Sequence, residues 1–184
     1  MSAETVGRNM PAFVTLDDLA VLNETDEHGH RYETGPEGVL TVVPPPDSGH
    51  AKIATRLMAW LLTAFAVEQV LQAAGIRIDG PQGVGGRIPD LTVWAREPAD
   101  SVWLPVDDLL LVIEIISPGS EAVDRVIKLE EYAAAGIPQY WTVARDEPQT
   151  VTLHVLVGDT YDEAAKMPLA WLLNTKPEDH HIVR

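Results

Sequence analysis

Three side chains in this 184-residue chain have the types and spacing to hold a divalent cation and steady a phosphate. Glu114 lies inside LLLVIEII, an apolar run of strand type whose neighbours ask to be buried. A buried, uncompensated carboxylate costs roughly several kcal/mol, so a core strand that keeps one must neutralise it, hydrogen-bond it or put it on a metal. Asp90 opens another strand directly after Pro89, and strands joined by a connection of this length are often neighbours. The two acids could then share a sheet face, where they repel unless a cation joins them. Hard oxygen ligands with spare water positions suit Mg²⁺. The helix expected after Glu114 carries Asp124 and Lys128 four residues apart on one side, with Glu121, Glu131 and Tyr132 near it. Packed back on its strand, that helix would bring the Lys128 amine to the acids, to orient a water or balance a phosphate charge. Each residue also has a plainer reading: Asp90 as a strand-end turn former, Asp124–Lys128 as a surface pair. Glu114 among its apolar neighbours is the hardest to explain that way.

The elements that must position these groups follow from periodicity and breakers. TLDDLAVLNE (15–24) reads as a short helix with Thr15 as N-cap. A β-hairpin follows, with strands near 31–33 and 39–43, a turn at 35–38 and a stop at Pro44–Pro46. Asp47 or Ser48 caps a long helix over residues 49–74, closed by Gly75. Strands are expected at 76–79, at 88–95 after a flexible turn around Gly83, Gly85 and Gly86, and at 109–117. A helix from Ser120 to Ala135 has Val123, Ile127 and Ala134 on its more apolar face. Strands at 138–144 and 150–157 form a final hairpin. The order predicts a mixed sheet with helices on its faces, in the α/β or α+β class.

Composition bounds the rest. The length suits one domain over 1–184 with a proper core. There is no cysteine, which excludes disulfides and zinc-thiolate sites and fits a reducing cytosol. The N-terminus has no signal-peptide pattern, and the apolar stretch of residues 57–67 is too short to span a bilayer. The expectation is a soluble cytoplasmic protein with no membrane partner. Thirteen basic residues stand against 28 acidic ones, a formal net charge of −15, without the basic cluster that nucleic-acid binders usually carry. A nucleic-acid substrate therefore requires bound metal or a locally basic face.

PDLTVW (89–94) and LLLVIEIISPGSEAVDRVIKLEEYAAAGIPQYWTV (109–143) together resemble the Uma family of restriction endonucleases, in the PD-(D/E)xK nuclease superfamily. The shared elements are Pro89-Asp90, Glu114 with Ser117-Pro118, the Asp124, Lys128 and Tyr132 helix, and the Gly136, Pro138, Tyr140 and Trp141 turn and strand. Upstream, Arg31-Tyr32-Glu33, Gly38-Val39-Leu40, the proline stop and His50 are similar too. The resemblance covers residues 28–157, with 1–12 as a loose leader and 158–184 as an atypical tail. It implies a restriction-endonuclease-like core with an N-terminal β-hairpin and a Mg²⁺-dependent endonuclease, Mn²⁺ being a possible substitute. Asp90, Glu114 and the Ile115 backbone carbonyl would hold the metal, Asp90, Glu114 and Lys128 would be catalytic, and the partner would be nucleic acid, DNA in the first place.

Glu33, His50 and Asp124 are candidate substrate-binding residues. For Glu33 an exposed hairpin acid is an equal alternative, and for His50 a helix-start cap is another. Tyr140 and Trp141 are expected in the core. Two departures stand out. Superfamily nucleases commonly carry the lysine two residues after the Glu, where this chain has Ile116. The tail, KMPLAWLLNTKPEDHHIVR, does not resemble the expected final element. The alternative function is an inactive nuclease-fold module for binding or assembly. A homodimer through Trp103, Trp171 and the apolar tail is a further expectation.

Overall fold

The computed structural model describes residues 14–80, 82–117 and 126–182. Helix α1 (Leu16–Thr25) starts at a reciprocal cap: the Thr15 hydroxyl accepts from the Asp18 N–H, and the Asp18 carboxylate accepts from the Thr15 N–H. The expected hairpin forms from β1 (Arg31–Thr34) and β2 (Leu40–Val43), with Arg31 opposite Val43 and Thr34 opposite Leu40. After the prolines, Asp47 caps α2 (Ser48–Leu61) by accepting from the His50 N–H.

Helix α2 does not run on to Gly75. It ends at Leu61, and the chain forms β3 (Val70–Gln72), which pairs antiparallel with β6 (Leu91–Trp94). Apolar residues at helical spacing continue past Leu61, so periodicity alone does not reveal the stop. A tertiary ladder decides it: Val70 lies opposite Val93, and the Gln69 amide donates to the carbonyls of Trp94 and Ala95.

The glycines expected in a flexible turn are themselves a strand. β4 (Ile76–Gly80) and β5 (Gly83–Arg87) form a hairpin, and β5 also meets β1. The reason is close approach. A Cβ on Gly85 would lie 2.6 Å from the Thr34 carbonyl oxygen and the Gly35 carbonyl carbon, and one on Gly86 would lie 2.7 Å from the Trp103 ring. Trp103 is thus half-buried, its indole N–H donating to the Leu16 carbonyl at 2.9 Å, and is not the free aromatic expected on a dimer face; Trp171 is 68% exposed.

Two mixed sheets result. One has the order β2-β1-β5-β4-β7, where β7 is Leu104–Pro105. The other has the order β11-β10-β9-β8-β6-β3, built with β8 (Leu109–Ile115), β9 (Gln139–Val143), β10 (Thr150–Val157) and β11 (Thr160–Pro168). β8 and β9 are parallel and connected through α3 (Lys128–Ala134). The segment expected as an atypical tail adds regular structure: β11 closes a hairpin on β10, and α4 (Leu169–Leu172) buries Leu169 and Leu172 in the core. Among the described residues no helix is long and apolar enough to cross a membrane.

The core has two parts, separated by the second sheet. Ile53, Leu57 and Trp60 of α2 pack with Leu111, Ile113, Ile115 and Trp141. Ile76, Ile78, Val112, Tyr132 and Tyr140 form the other part. Tyr140 and Trp141 are both fully buried, as expected. α3 corrects the sequence reading. Ile127 and Ala134, placed on its apolar face, are exposed, and the buried face carries Lys128, Tyr132 and Ala133.

The Gly85 contact is testable. A methyl group there meets backbone atoms that cannot rotate away, so Gly85→Ala should lower unfolding stability by about 1–3 kcal/mol in denaturant titrations. An unchanged transition midpoint would show that β5 and β1 do not approach so closely.

Candidate active site

The site is assembled at the end of β6 and β8. These strands are antiparallel, with Leu91 opposite Ile113 and Thr92 opposite Val112. Asp90 immediately precedes β6 and its Oδ2 accepts from the Ile115 N–H, beside Glu114 in β8, so both acids reach the same cavity. Along β8 side chains alternate. Ile113 and Ile115 enter the α2 side of the core, and Val112 enters the part that holds Tyr132. Glu114 therefore points toward α3, which presents Lys128 and Tyr132 on one face. Lys128 Nζ donates to Glu114 Oε1 at 2.8 Å, and the Tyr132 hydroxyl donates to the same oxygen at 3.0 Å. Lys128 is 4% exposed, which rules out its reading as half of a surface pair; its expected companion Asp124 lies outside the described residues.

The hairpin delivers a third acid. Glu33 is 1% exposed and so is not a surface acid. Its Oε1 accepts from the Ile88 N–H at 3.0 Å, while Oε2 lies 3.4 Å from Lys128 Nζ and 3.6 Å from Arg87 Nη1. Arg87, also 1% exposed, forks onto Glu131 of α3 at 2.8 and 2.6 Å. Burial works against the Arg87 charge, but the hydrogen bonds and charge of Glu131 outweigh it and hold the guanidinium above its ordinary pKa. Burial also raises Tyr132 well above the ordinary phenol value, helped by the charges of Glu114 and Glu33, so it remains a donor.

Asp90 is satisfied from several sides. Oδ2 accepts from the Ile115 N–H at 2.8 Å, and Oδ1 faces His50 Nε2 at 3.0 Å and Arg31 Nη2 at 3.3 Å. Burial pushes this carboxyl up, but the His50 hydrogen bond, the His50 and Arg31 charges and the Ile115 N–H together bring it below its ordinary value. His50 was open to a capping role; its backbone is capped by Asp47, and its ring instead reaches Asp90. With Asp90 accepting, Nε2 carries the proton, and Nδ1 lies 3.5 Å from Ser117 Oγ.

Arg31, Glu33, His50, Asp90, Glu114 and Lys128 all line one cavity of about 380 Å³, together with Ile115, Ser117 and Pro44–Pro46. At its rim Arg145 pairs with Asp47 at 2.8 Å. Among the described residues no three His, Cys, Asp or Glu side chains close round an ion. Mg²⁺ does not need that: it is commonly held by one or two carboxylates, with water and a phosphate filling the rest. Asp90 and Glu114, two hard carboxylates lining one cavity, suit such an ion. Sequence reasoning placed Glu131 near the Lys128 side of the helix but missed Arg87 as its partner. The signal available was an arginine in strand register directly after a glycine run.

This fold has a counterpart among solved structures. A crystal structure described as a "putative nuclease belonging to DUF820" from Anabaena variabilis ATCC 29413 is 18% identical, with a TM-score of 0.54, covering 74% of this chain and 78% of that one. The two chains share a fold. A family profile described as "Uma2: Putative restriction endonuclease" matches residues 14–177, and the chain belongs to that family. No curated protein matches the sequence.

Asp90 gives the site a pH signature. Its folded pKa lies below the ordinary value of 3.8, so its contribution to stability is complete above that value and is lost as pH falls through the folded one. The stability difference between wild type and Asp90→Asn should therefore be larger near pH ~6 than near pH ~2.5 in denaturant titrations. Equal differences at both would remove Asp90 from the charge cluster.

Proposed function

We propose that the protein is a metal-dependent endonuclease that hydrolyses phosphodiester bonds of nucleic acid, DNA in the first place. The observation that carries this reading is the buried Lys128–Glu114 contact in the cavity that Asp90 lines, in a chain of this family. Asp90, Glu114 and the Ile115 carbonyl would hold Mg²⁺, or Mn²⁺ in its place, which when bound makes water more acidic and offsets charge on the phosphate. The chain's own groups do the remaining work. Lys128 brings a buried ammonium to the cavity, where it balances the negative charge that grows on a phosphoryl oxygen. Arg31 and Arg145 add two cations at the same cavity, where they pair with Asp90 and Asp47. His50 and the Ile115 N–H fix the orientation of Asp90 from two directions.

A second reading, an inactive module for binding or assembly, has one observation in its favour. Asp90 already faces Arg31 and His50, and Glu114 already holds Lys128, so the site is neutralised by the protein itself. Ile116, at the position where superfamily nucleases place their lysine, is 4% exposed and packed in the interior.

Plasmid nicking with Mg²⁺ or Mn²⁺ separates the two. The endonuclease reading expects metal-dependent cutting by wild type and a loss of about 100-fold or more in Lys128→Ala. No cutting of single- or double-stranded DNA or RNA by wild type with either ion selects the module. Separately, Glu114→Ala should abolish Mg²⁺ binding in calorimetric titration, and an isotherm like that of wild type would remove Glu114 from the ligand set.

A further inference from the structure

Glu33 is the buried acid that the proposed reaction leaves without a task. Its two oxygens are in different situations. Oε1 is tied to the Ile88 N–H at 3.0 Å, which fixes the plane of the carboxylate. Oε2 has no hydrogen-bond donor, although it is buried in a residue that is 1% exposed and lines the cavity. Burying such an acceptor costs free energy, so a site that retains it must use it in another state or accept the loss.

Arg87 does not fill that need. Its fork is committed to Glu131, its Nη1 stands 3.6 Å from Glu33 Oε2, and Nη1 itself makes no hydrogen bond. Lys128 is the nearer cation, at 3.4 Å from Oε2 and 2.8 Å from Glu114 Oε1. The ammonium thus lies between two carboxylates, bonded to one and just outside bonding distance of the other. A divalent ion on Glu114 would compete for the oxygen that Lys128 now holds. Glu33 Oε2, a buried carboxylate oxygen already 3.4 Å from that ammonium, is placed to accept it as it leaves Glu114.

We propose that Glu33 is a positioning residue for Lys128, the carboxylate that receives its ammonium when a divalent cation takes Glu114. The inference rests on the metal-dependent reading above and deepens it. Glu33 is not a metal ligand in this scheme. It keeps Lys128 charged and in place, at the edge of the cavity, while Glu114 is engaged elsewhere. No covalent step is involved, only the exchange of one hydrogen-bond acceptor for another.

The scheme makes metal binding depend on Glu33 only through Lys128, which a double-mutant cycle reads directly. Mg²⁺ affinity is measured by titration calorimetry in wild type, Glu33→Gln, Lys128→Ala and the double variant, each checked for folding by circular dichroism and thermal melting without metal. Glu33→Gln should weaken Mg²⁺ binding roughly tenfold when Lys128 is present and by less than about twofold in the Lys128→Ala background. An equal loss in both backgrounds would make Glu33 a ligand and overturn the proposal. No loss in either background would overturn it as well. Should Glu33→Gln fail to fold, Glu33→Asp, which keeps the charge but draws it back, should show the same dependence on Lys128. A wild type that binds no Mg²⁺ brings down the metal reading and this inference together, and that outcome is visible before any substitution is made.

Discussion

The structure is organised around the need to bury carboxylates without leaving them unpaired. Glu33, Asp90 and Glu114 are each 5% exposed or less. The chain meets that need by alternating charge through the interior: Glu131 on Arg87, Arg87 beside Glu33, Glu33 beside Lys128, Lys128 on Glu114. The members come from different layers. Glu33 and Arg87 belong to the first sheet, Glu114 to the second, and Lys128 and Glu131 to α3. The cluster therefore ties both sheets and α3 together at the cavity. Such networks are weak evidence for stability, since desolvation offsets much of the attraction, but losing one member leaves its partner charged and buried.

The same network gives the site its character. A cavity walled by prolines and apolar strand residues strengthens every charge inside it. Tyr132 contributes by staying protonated, because its burial and two nearby carboxylates oppose ionisation. Lys128 reaches Glu114 from α3, while Ile116, two residues beyond Glu114 and just past the end of β8, is buried. β8 thus carries one acid, Glu114, and its cation comes from α3.

Much of this was legible in the sequence because a few residues carry unambiguous physics. A single Glu in LLLVIEII has no comfortable place, and the structure brings Lys128 and Tyr132 to it. Thr15 and Asp47 declare helix starts through short-range capping that needs no tertiary information. What was not legible depends on distant partners. Residues 62–74 continue an apolar helical pattern, but β3 forms because β6 offers Val70–Gln72 a ladder. The glycines of β5 look like a loop until Thr34 and Trp103 are packed on them. Nothing local in the sequence pairs Arg87 with Glu131, which lies 44 residues away and receives it. Ile127 and Ala134 look like the buried side of α3, yet the helix turns its charged Lys128 inward because the acids are there.

The central claim is that Asp90 and Glu114 form one cation site with Lys128 as its neighbour. A crystal structure of the protein soaked in Mn²⁺, with anomalous scattering recorded, tests it most directly. The account predicts a single anomalous peak in contact with carboxylate oxygens of both Asp90 and Glu114, and Lys128 Nζ moved onto Glu33. A peak elsewhere, or side chains unchanged by the soak at high Mn²⁺ concentration, would contradict it.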